Sequence, residues 1–212
     1  MSLTYELIGY VFLVVAALIP IANPFSTAPI FVTLTAGLSQ EERHQTATRA
    51  CAYMALLLLA FLLTGALILQ FFGISLQALR VAGGLIIAYI GFRMLFPADP
   101  SEEAVGSSAV DARSIAFMPL ALPMLSGPGS ISVVISMATE VVKLETIVDR
   151  LIGYAVVGVG IVLSAVLCWL VLYSASAVVR FLGDAGINAL TSLMGFLFVC
   201  IGCQFVLSSF QI

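Results

Sequence analysis

Residues 20–29 read PIANPFSTAP and lie inside an apolar run that extends from about residue 5 to about residue 37. Three prolines in this stretch cannot all belong to an unbroken helix, because each removes a backbone donor and clashes with the preceding turn. In a lipid-embedded segment the freed backbone groups are costly to bury and need protein, water or a ligand as partners. The stretch therefore predicts a helix break that faces a cavity.

A second stretch of the same character, residues 119–129, reads PLALPMLSGPG. Pro24 and Pro128 stand where the first turn of a helix tolerates proline, so a new half-helix is predicted to begin at each of them. We expect the two breaks to meet and to form a substrate site.

The composition identifies the class of protein. The 212 residues are 62% hydrophobic and only 9% charged, whereas about a quarter of the residues in soluble proteins are charged. Long apolar runs favour membrane helices over a β-barrel, which shows short segments of alternating polarity. The net charge of −3 and the lack of a basic cluster argue against a nucleic-acid partner. We predict an all-α polytopic membrane protein, with the lipid bilayer and a small molecule as its partners.

Six candidate spans follow from the apolar runs, since a span needs about twenty apolar residues. Ser39 and Glu42 have the spacing of a capping box at the start of the second span, and Gly73 is expected to end it. The polar residues 98–112 are expected to be a flexible loop between a first repeat (1–97) and a second repeat (113–212). The candidate spans cover about residues 5–37, 39–72, 76–96, 114–139, 151–181 and 188–209.

The two halves resemble each other and are predicted to be two inverted three-helix repeats, each with a broken first helix. Gly84 and Gly91 recur as Gly195 and Gly202 at a constant separation of 111 residues. An odd number of spans in each half inverts the second half, as in many secondary transporters. If each break is instead the tip of a re-entrant hairpin, the halves are parallel. The other matches, in the same order, pair Pro20 and Pro24 with Pro123 and Pro128, and Gly73 with Gly183.

Basic residues set the predicted orientation. No Lys or Arg precedes Arg43, so the first apolar segment lacks the basic region of a signal peptide and is expected to be retained. Five basic residues on one side against three on the other place both termini in the periplasm by the positive-inside rule. The larger group comprises Arg43, Arg49, Arg93, Arg113 and Arg180, and the smaller group comprises Arg80, Lys143 and Arg150.

The chemistry of the breaks points to a zwitterionic ligand. A broken helix exposes the carbonyl end of one half-helix, which suits an ammonium group, and the amide end of the next, which suits a carboxylate. No Asp, Glu or Lys lies deep in any candidate span, so the site would use no ionised side chain. The candidate substrate-binding residues are Asn23, Pro24, Ser26, Thr27, Ser126, Gly127, Pro128, Gly129 and Ser130.

Other chemistry-bearing residues have simpler interpretations. Arg80 is a candidate for an anion contact or a gate, but an arginine at this depth can also extend to the membrane interface. His44 is the only histidine and lies in a polar segment, where we expect it to be solvated. We expect Cys200 and Cys203 to pack on one helix face instead of binding a metal. The protein is therefore predicted to have no metal or cofactor and not to be an enzyme.

Four short motifs occur in order along the chain: residues 23–24 (NP), 80–84 (RVAGG), 90–97 (IGFRMLFP) and 127–129 (GPG). With these motifs the chain resembles the MarC family of bacterial inner-membrane proteins. The resemblance implies six spans in the inner membrane, and some members are described as transporters of small neutral amino acids such as alanine and glycine. Many members have glycine at the position of Ser26, so the side chain here narrows the first break.

The sequence therefore predicts an inner-membrane secondary transporter or exporter of small neutral, zwitterionic solutes such as alanine or glycine. The alternative is a non-transporting scaffold or sensor protein of the same family. In that case the prolines only kink their helices and serve packing, because neighbouring hydroxyls can satisfy the freed backbone groups.

Overall fold

The computed structural model describes residues 2–96 and 116–210, and these residues form eight helical segments. The first four are α1 (Ser2–Ala22), α2 (Pro24–Leu34), α3 (Gln40–Phe72) and α4 (Leu76–Leu95). The other four are α5 (Ala116–Leu125), which is wound as a π-helix, α6 (Pro128–Val142), α7 (Ile147–Tyr173) and α8 (Ala175–Phe210). The predicted all-helical class is confirmed. The loop predicted at residues 98–112 lies outside the described residues.

The ends of α3 follow from local sequence. The Ser39 side chain accepts a hydrogen bond from the Glu42 N–H, and the Glu42 carboxylate accepts one from the Ser39 N–H at 2.9 Å. This reciprocal pair is the predicted capping box. Gly73 ends α3 in the left-handed conformation (φ 64°, ψ 25°), which glycine adopts without steric cost.

Several helices are long and apolar enough to cross a membrane. Over the described residues there are four of them: α3, α4, α7 and residues 185–210 of α8. The α1–α2 pair, bent by 45°, is a fifth if the pair is one span. The multi-pass membrane protein is therefore confirmed, whereas the count of six spans stays a prediction. The predicted fourth span begins outside the described residues and continues through α5 and the shorter apolar helix α6.

The span predicted at about 151–181 is wrong at its end. α7 stops at Tyr173, and α8 begins directly after Ser174 and bends at Gly183 (φ 61°, ψ 175°). The Ser174 hydroxyl donates to the Leu170 carbonyl at 2.7 Å and closes the last turn of α7. Because the apolar residues continue through this turn to residue 182, hydrophobicity alone does not reveal it.

α4 and α8 pack closely through glycine. A Cβ atom on Gly84 would lie 2.6 Å from the Gly202 carbonyl oxygen, and one on Gly91 would lie 2.5 Å from that of Gly195. Small residues allow such backbone approach between membrane helices. Since 84 meets 202 and 91 meets 195, the two helices run antiparallel.

The core lies between the breaks and the long helices α3 and α7. Its largest fully buried side chains include Leu18, Phe31, Met54, Leu58 and Ile161. Large apolar side chains on the outside, such as Phe71 and Phe181, are exposed, as lipid-facing residues are.

Candidate functional site: a cavity between two helix breaks

A cavity of about 580 Å³ is lined by both helix breaks together with parts of α4 and α8. Asn23 and Gly127, the residues at the two interruptions, both line it. The two stretches that are far apart in sequence therefore share one cavity. Six of the predicted substrate-binding residues line it: Asn23, Ser26, Thr27, Gly127, Gly129 and Ser130.

Asn23 forms the first break and caps the helix that follows. It lies in the left-handed region (φ 41°, ψ 61°) and is the one non-glycine residue of the described chain with a positive φ. Its Oδ1 accepts a hydrogen bond from the Ser26 N–H at 3.3 Å, and its carbonyl accepts one from the Thr27 hydroxyl at 3.1 Å. The amide end of α2 is therefore capped by the break itself.

The carbonyl end of α1 keeps free acceptors. Pro24 has no N–H to offer to the Pro20 carbonyl, four residues earlier. The Ser26 N–H, the usual helical donor to the Ala22 carbonyl, goes to the Asn23 side chain instead. Ile21 and Ala22 line the cavity, so this helix end presents partial negative charge beside it.

The second break has the opposite character. The Ser126 N–H and hydroxyl both donate to the Ala121 carbonyl, at 2.9 and 2.7 Å, and close the wide last turn of α5. Gly127 then has an ordinary extended conformation (φ −68°, ψ 176°) and supplies no side-chain cap to α6. The N–H groups of Gly129 and Ser130 lie in the first turn of α6, where helix geometry provides no intrahelical acceptor.

Residues of α4 and α8 complete the lining, and the sequence analysis missed them. The Asn23 amide group contacts the Met94 sulfur at 3.8 Å, and the Ser26 and Thr191 hydroxyl oxygens lie 3.4 Å apart. Asn188 lines the cavity one helical turn before Thr191. The signal that could have found this pair is the three-residue spacing of two polar residues on one face of an apolar span.

Most of the lining is apolar, and none of the described residues that line the cavity is ionisable. The polar groups are two asparagine amides, hydroxyl groups and the exposed ends of helix backbones. Such a site has hydrogen-bond donors and acceptors but no net charge. The main apolar contributors are Ile21, Ile30, Ile87, Ile90, Met94, Met124, Ile187 and Phe198.

Three of the predicted substrate-binding residues stand next to the cavity lining without belonging to it. Pro24 and Ser126 are buried, and Pro128 is exposed. Their described role is to shape the breaks: the prolines begin α2 and α6, and Ser126 closes α5.

Arg80 does not line the cavity. It links α4 to α6, because its Nε donates to the Ser136 hydroxyl at 3.1 Å and its guanidinium forms an ion pair with Glu140 at 3.0 Å. The predicted anion contact is therefore not made in this cavity, and the role as a gate stays a prediction. The expectation that Cys200 and Cys203 pack was wrong, because both are exposed on α8.

Comparisons with known proteins agree with the resemblance seen in the motifs. Residues 8–211 match the family described as MarC family integral membrane protein. The inner membrane protein MarC of Escherichia coli O1:K1 / APEC is 39% identical over 201 residues, which cover 90% of this chain and 89% of the relative. The protein of the same name from Escherichia coli strain K12 is 38% identical over the same shares.

No solved structure matches the chain. The names of the relatives, together with the long apolar helices, confirm the predicted inner-membrane location. The family match spans nearly the whole sequence, and this chain therefore belongs to the MarC family of integral membrane proteins.

Proposed function

We propose that this protein is a secondary transporter or exporter of small neutral, zwitterionic solutes such as alanine or glycine. The observation that carries the proposal is the single cavity lined by Asn23 and Gly127 without an ionisable side chain. In this cavity a solute carboxylate would meet the uncapped amide end of α6, and its ammonium group would meet the free carbonyl end of α1.

The neutral lining favours a solute without net charge. A net charge moved into such a cavity has no counter-charge to compensate its lost hydration, whereas each end of a zwitterion finds a helix end of opposite sign. The volume of about 580 Å³ also leaves room for several waters beside a small amino acid, since a water occupies roughly 30 Å³.

The contacts of α4 and α8 support the inverted-repeat part of the proposal. Under the separation of 111 residues, the contact between Gly84 and Gly202 exchanges with the contact between Gly195 and Gly91. Antiparallel helices are exchanged only by a two-fold axis perpendicular to them, which for membrane spans lies in the membrane plane. This is the symmetry of inverted-topology transporters, whose substrate sites lie at broken helices near the middle of the bilayer.

The charged contacts support full crossings over re-entrant hairpins. Arg80, which follows the α3–α4 turn, pairs with Glu140, which precedes the α6–α7 turn. Re-entrant hairpins would place Glu140 on the opposite membrane face from Arg80, whereas six crossings place them on the same face. Labelling of single cysteines at Ser2 and Ser107 tests this directly: crossings put the two positions on opposite faces, and hairpins put them on the same face.

The functional test is uptake of labelled alanine and glycine by proteoliposomes, normalised to folded protein. We expect saturable uptake that is lost in Gly127→Leu, whose side chain enters the cavity, and reduced in Asn23→Ala. Gly9→Leu is the matched control, because the space around Gly9 is open. Equal uptake by all four proteins would remove the site assignment.

The alternative, a scaffold or sensor protein, makes a different prediction. A non-transporting protein shows no saturable flux, and a pure scaffold also shows no ligand-dependent rise in melting temperature. A melting screen against amino acids and small metabolites, repeated with Gly127→Leu, therefore separates the candidates. A metabolite of another class that stabilises only the wild type would keep the cavity as the site and change the solute.

A further inference from the structure

A second pocket, of about 350 Å³, lies at one end of the long helices and apart from the cavity between the breaks. It is polar and basic, and none of the described residues lining it is Asp or Glu. Its charged and hydrogen-bonding groups come from the start of α3 and from the α7–α8 turn: Arg43, His44, Tyr173, Ser174, Ser176 and Arg180.

The two arginines have donors to spare. Arg43 donates to the Ser176 hydroxyl at 2.9 Å and to the Thr35 carbonyl at 3.1 Å, but its buried Nε has no acceptor among the described residues. A buried donor without a partner is uncommon and often marks an absent ligand or water. Arg180 is exposed, and within the described part of the chain it has no ion pair. The pocket therefore offers uncompensated positive charge.

Aromatic residues place this pocket at the membrane surface. Tyr173 stacks on His44 with ring centroids 3.9 Å apart and lies 5.1 Å from Trp169. The Trp169 ring N–H donates to the Thr48 hydroxyl at 3.0 Å. Trp and Tyr concentrate where the hydrocarbon meets the headgroups, so the basic pocket lies at headgroup level.

An apolar groove of about 230 Å³ between α3 and α7 continues from this point. A hollow that shares His44 and Tyr173 with the basic pocket, and Thr48 with the groove, connects the two. Glu41 also lines the connecting hollow, where it accepts a hydrogen bond from Gln45 at 3.1 Å. The apolar part of the groove is lined by Cys51, Ala52, Ala55, Val162, Ala165 and Val166.

We propose that an anionic phospholipid binds along this track, with its phosphate against Arg43 and Arg180 and one acyl chain in the groove between α3 and α7. Guanidinium groups bind phosphate through paired, charge-assisted hydrogen bonds, and basic pockets between membrane helices take anionic headgroups. A soluble phosphate would use the basic pocket but not the apolar groove. The continuity of pocket and groove therefore favours a lipid.

The test is the melting temperature of the purified full-length protein in detergent with added lipid. Phosphatidylglycerol should raise it saturably, whereas phosphatidylcholine with the same chains and inorganic phosphate should not. Arg180→Gln should weaken the apparent affinity for phosphatidylglycerol about tenfold, since it removes charge-assisted hydrogen bonds. Arg180 has no ion pair to lose, so this variant should fold normally. Arg150→Gln removes a charge from the other predicted membrane face and should leave the lipid effect unchanged.

A second variant tests the groove. Ala52→Phe fills the groove from an exposed position and should reduce the effect of phosphatidylglycerol. Equal stabilisation by phosphatidylglycerol and phosphatidylcholine would overturn the proposal. Stabilisation by inorganic phosphate to the same extent would replace the lipid with a soluble phosphate ligand. An unchanged lipid response in both Arg180→Gln and Ala52→Phe would overturn the location.

Discussion

The first and second helix breaks share an apolar setting and a proline that begins the second half-helix, but their unpaired backbone groups differ. At the first break, Asn23 turns left-handed and its side chain caps α2, so the free groups are the carbonyls at the end of α1. At the second, Gly127 is extended and has no side chain, so the free groups are the amides at the start of α6.

This difference gives the cavity a polarity that neither break has alone. Two identical breaks would each offer both a carbonyl end and an amide end to the solute. Here one break retains its acceptors and the other its donors. A zwitterion would therefore bind in a single orientation, with its carboxylate at α6 and its ammonium group at α1.

The largest stability effect is expected at Asn23. Replacing it by alanine removes the cap, worth about 1 kcal/mol, and puts a β-carbon into the left-handed region, which costs roughly 1–2 kcal/mol. Asn23→Gly should cost only a few tenths of a kcal/mol, because glycine accepts this conformation and is itself a fair N-cap. Unfolding free energies in detergent check this, and equal stabilities of the two variants would mean that the conformation at residue 23 carries no strain.

Packing at the second break should give the next largest effect. A Cβ atom on Gly129 would lie 2.7 Å from Ile87 Cγ1 and 3.1 Å from Ile21 Cγ2. Gly129→Ala should therefore destabilise the protein by about 2 kcal/mol through overpacking. The matched control is Gly9→Ala, since Gly9 lies on α1 with nothing within 4 Å. Equal melting temperatures of the two variants would show that α6 can move away from α1 and α4 at no cost.

Gly127→Ser gives the second break the self-capping property of the first. The residue already has the extended conformation of an N-cap, and a serine oxygen there can accept a hydrogen bond from the Ser130 N–H. We expect the half-saturation concentration for alanine uptake to rise about tenfold, because the solute loses a charge-assisted hydrogen bond. Gly127→Ala adds similar bulk without the oxygen. If both variants shift uptake equally, bulk alone explains the result and the free amides have no part in binding.

The smallest effect is expected at Arg80, whose ion pair with Glu140 is partly exposed. Arg80→Gln should lower the unfolding free energy by less than about 1 kcal/mol, and by less still at high salt. Thr191 is the residue 111 positions later, and it lies in the cavity. Thr191→Val should therefore reduce alanine uptake while Arg80→Gln does not. The reverse result would move the solute path to the α4–α6 side.

Several features of the fold could be predicted because they follow from local backbone chemistry. The prolines of residues 20–29 and 119–129 indicated where two helices break, and Ser39, Glu42 and Gly73 marked the ends of α3. The glycines of α4 and α8 were expected to allow close helix contact, which the structure shows.

Other features depend on three-dimensional contacts that an apolar sequence hides. Met94, Asn188 and Thr191 line the cavity only because α4 and α8 cross beside the breaks, and no periodicity marks that crossing when every face of a span is apolar. The self-cap of Asn23 depends on one side-chain rotamer. The turn at Ser174 interrupts an apolar run that reads as continuous.

The most direct measurement is the distance between a bound solute and the backbone at the second break. In proteoliposomes of ¹⁵N-glycine-labelled protein with alanine ¹³C-labelled at its carboxylate, rotational-echo double-resonance NMR should find a carbon–nitrogen distance of about 4 Å, as expected for a carboxylate accepting from an amide. Carboxylate signal that is dephased by ¹⁵N-labelled arginine side chains, and not by ¹⁵N-glycine, would contradict the account.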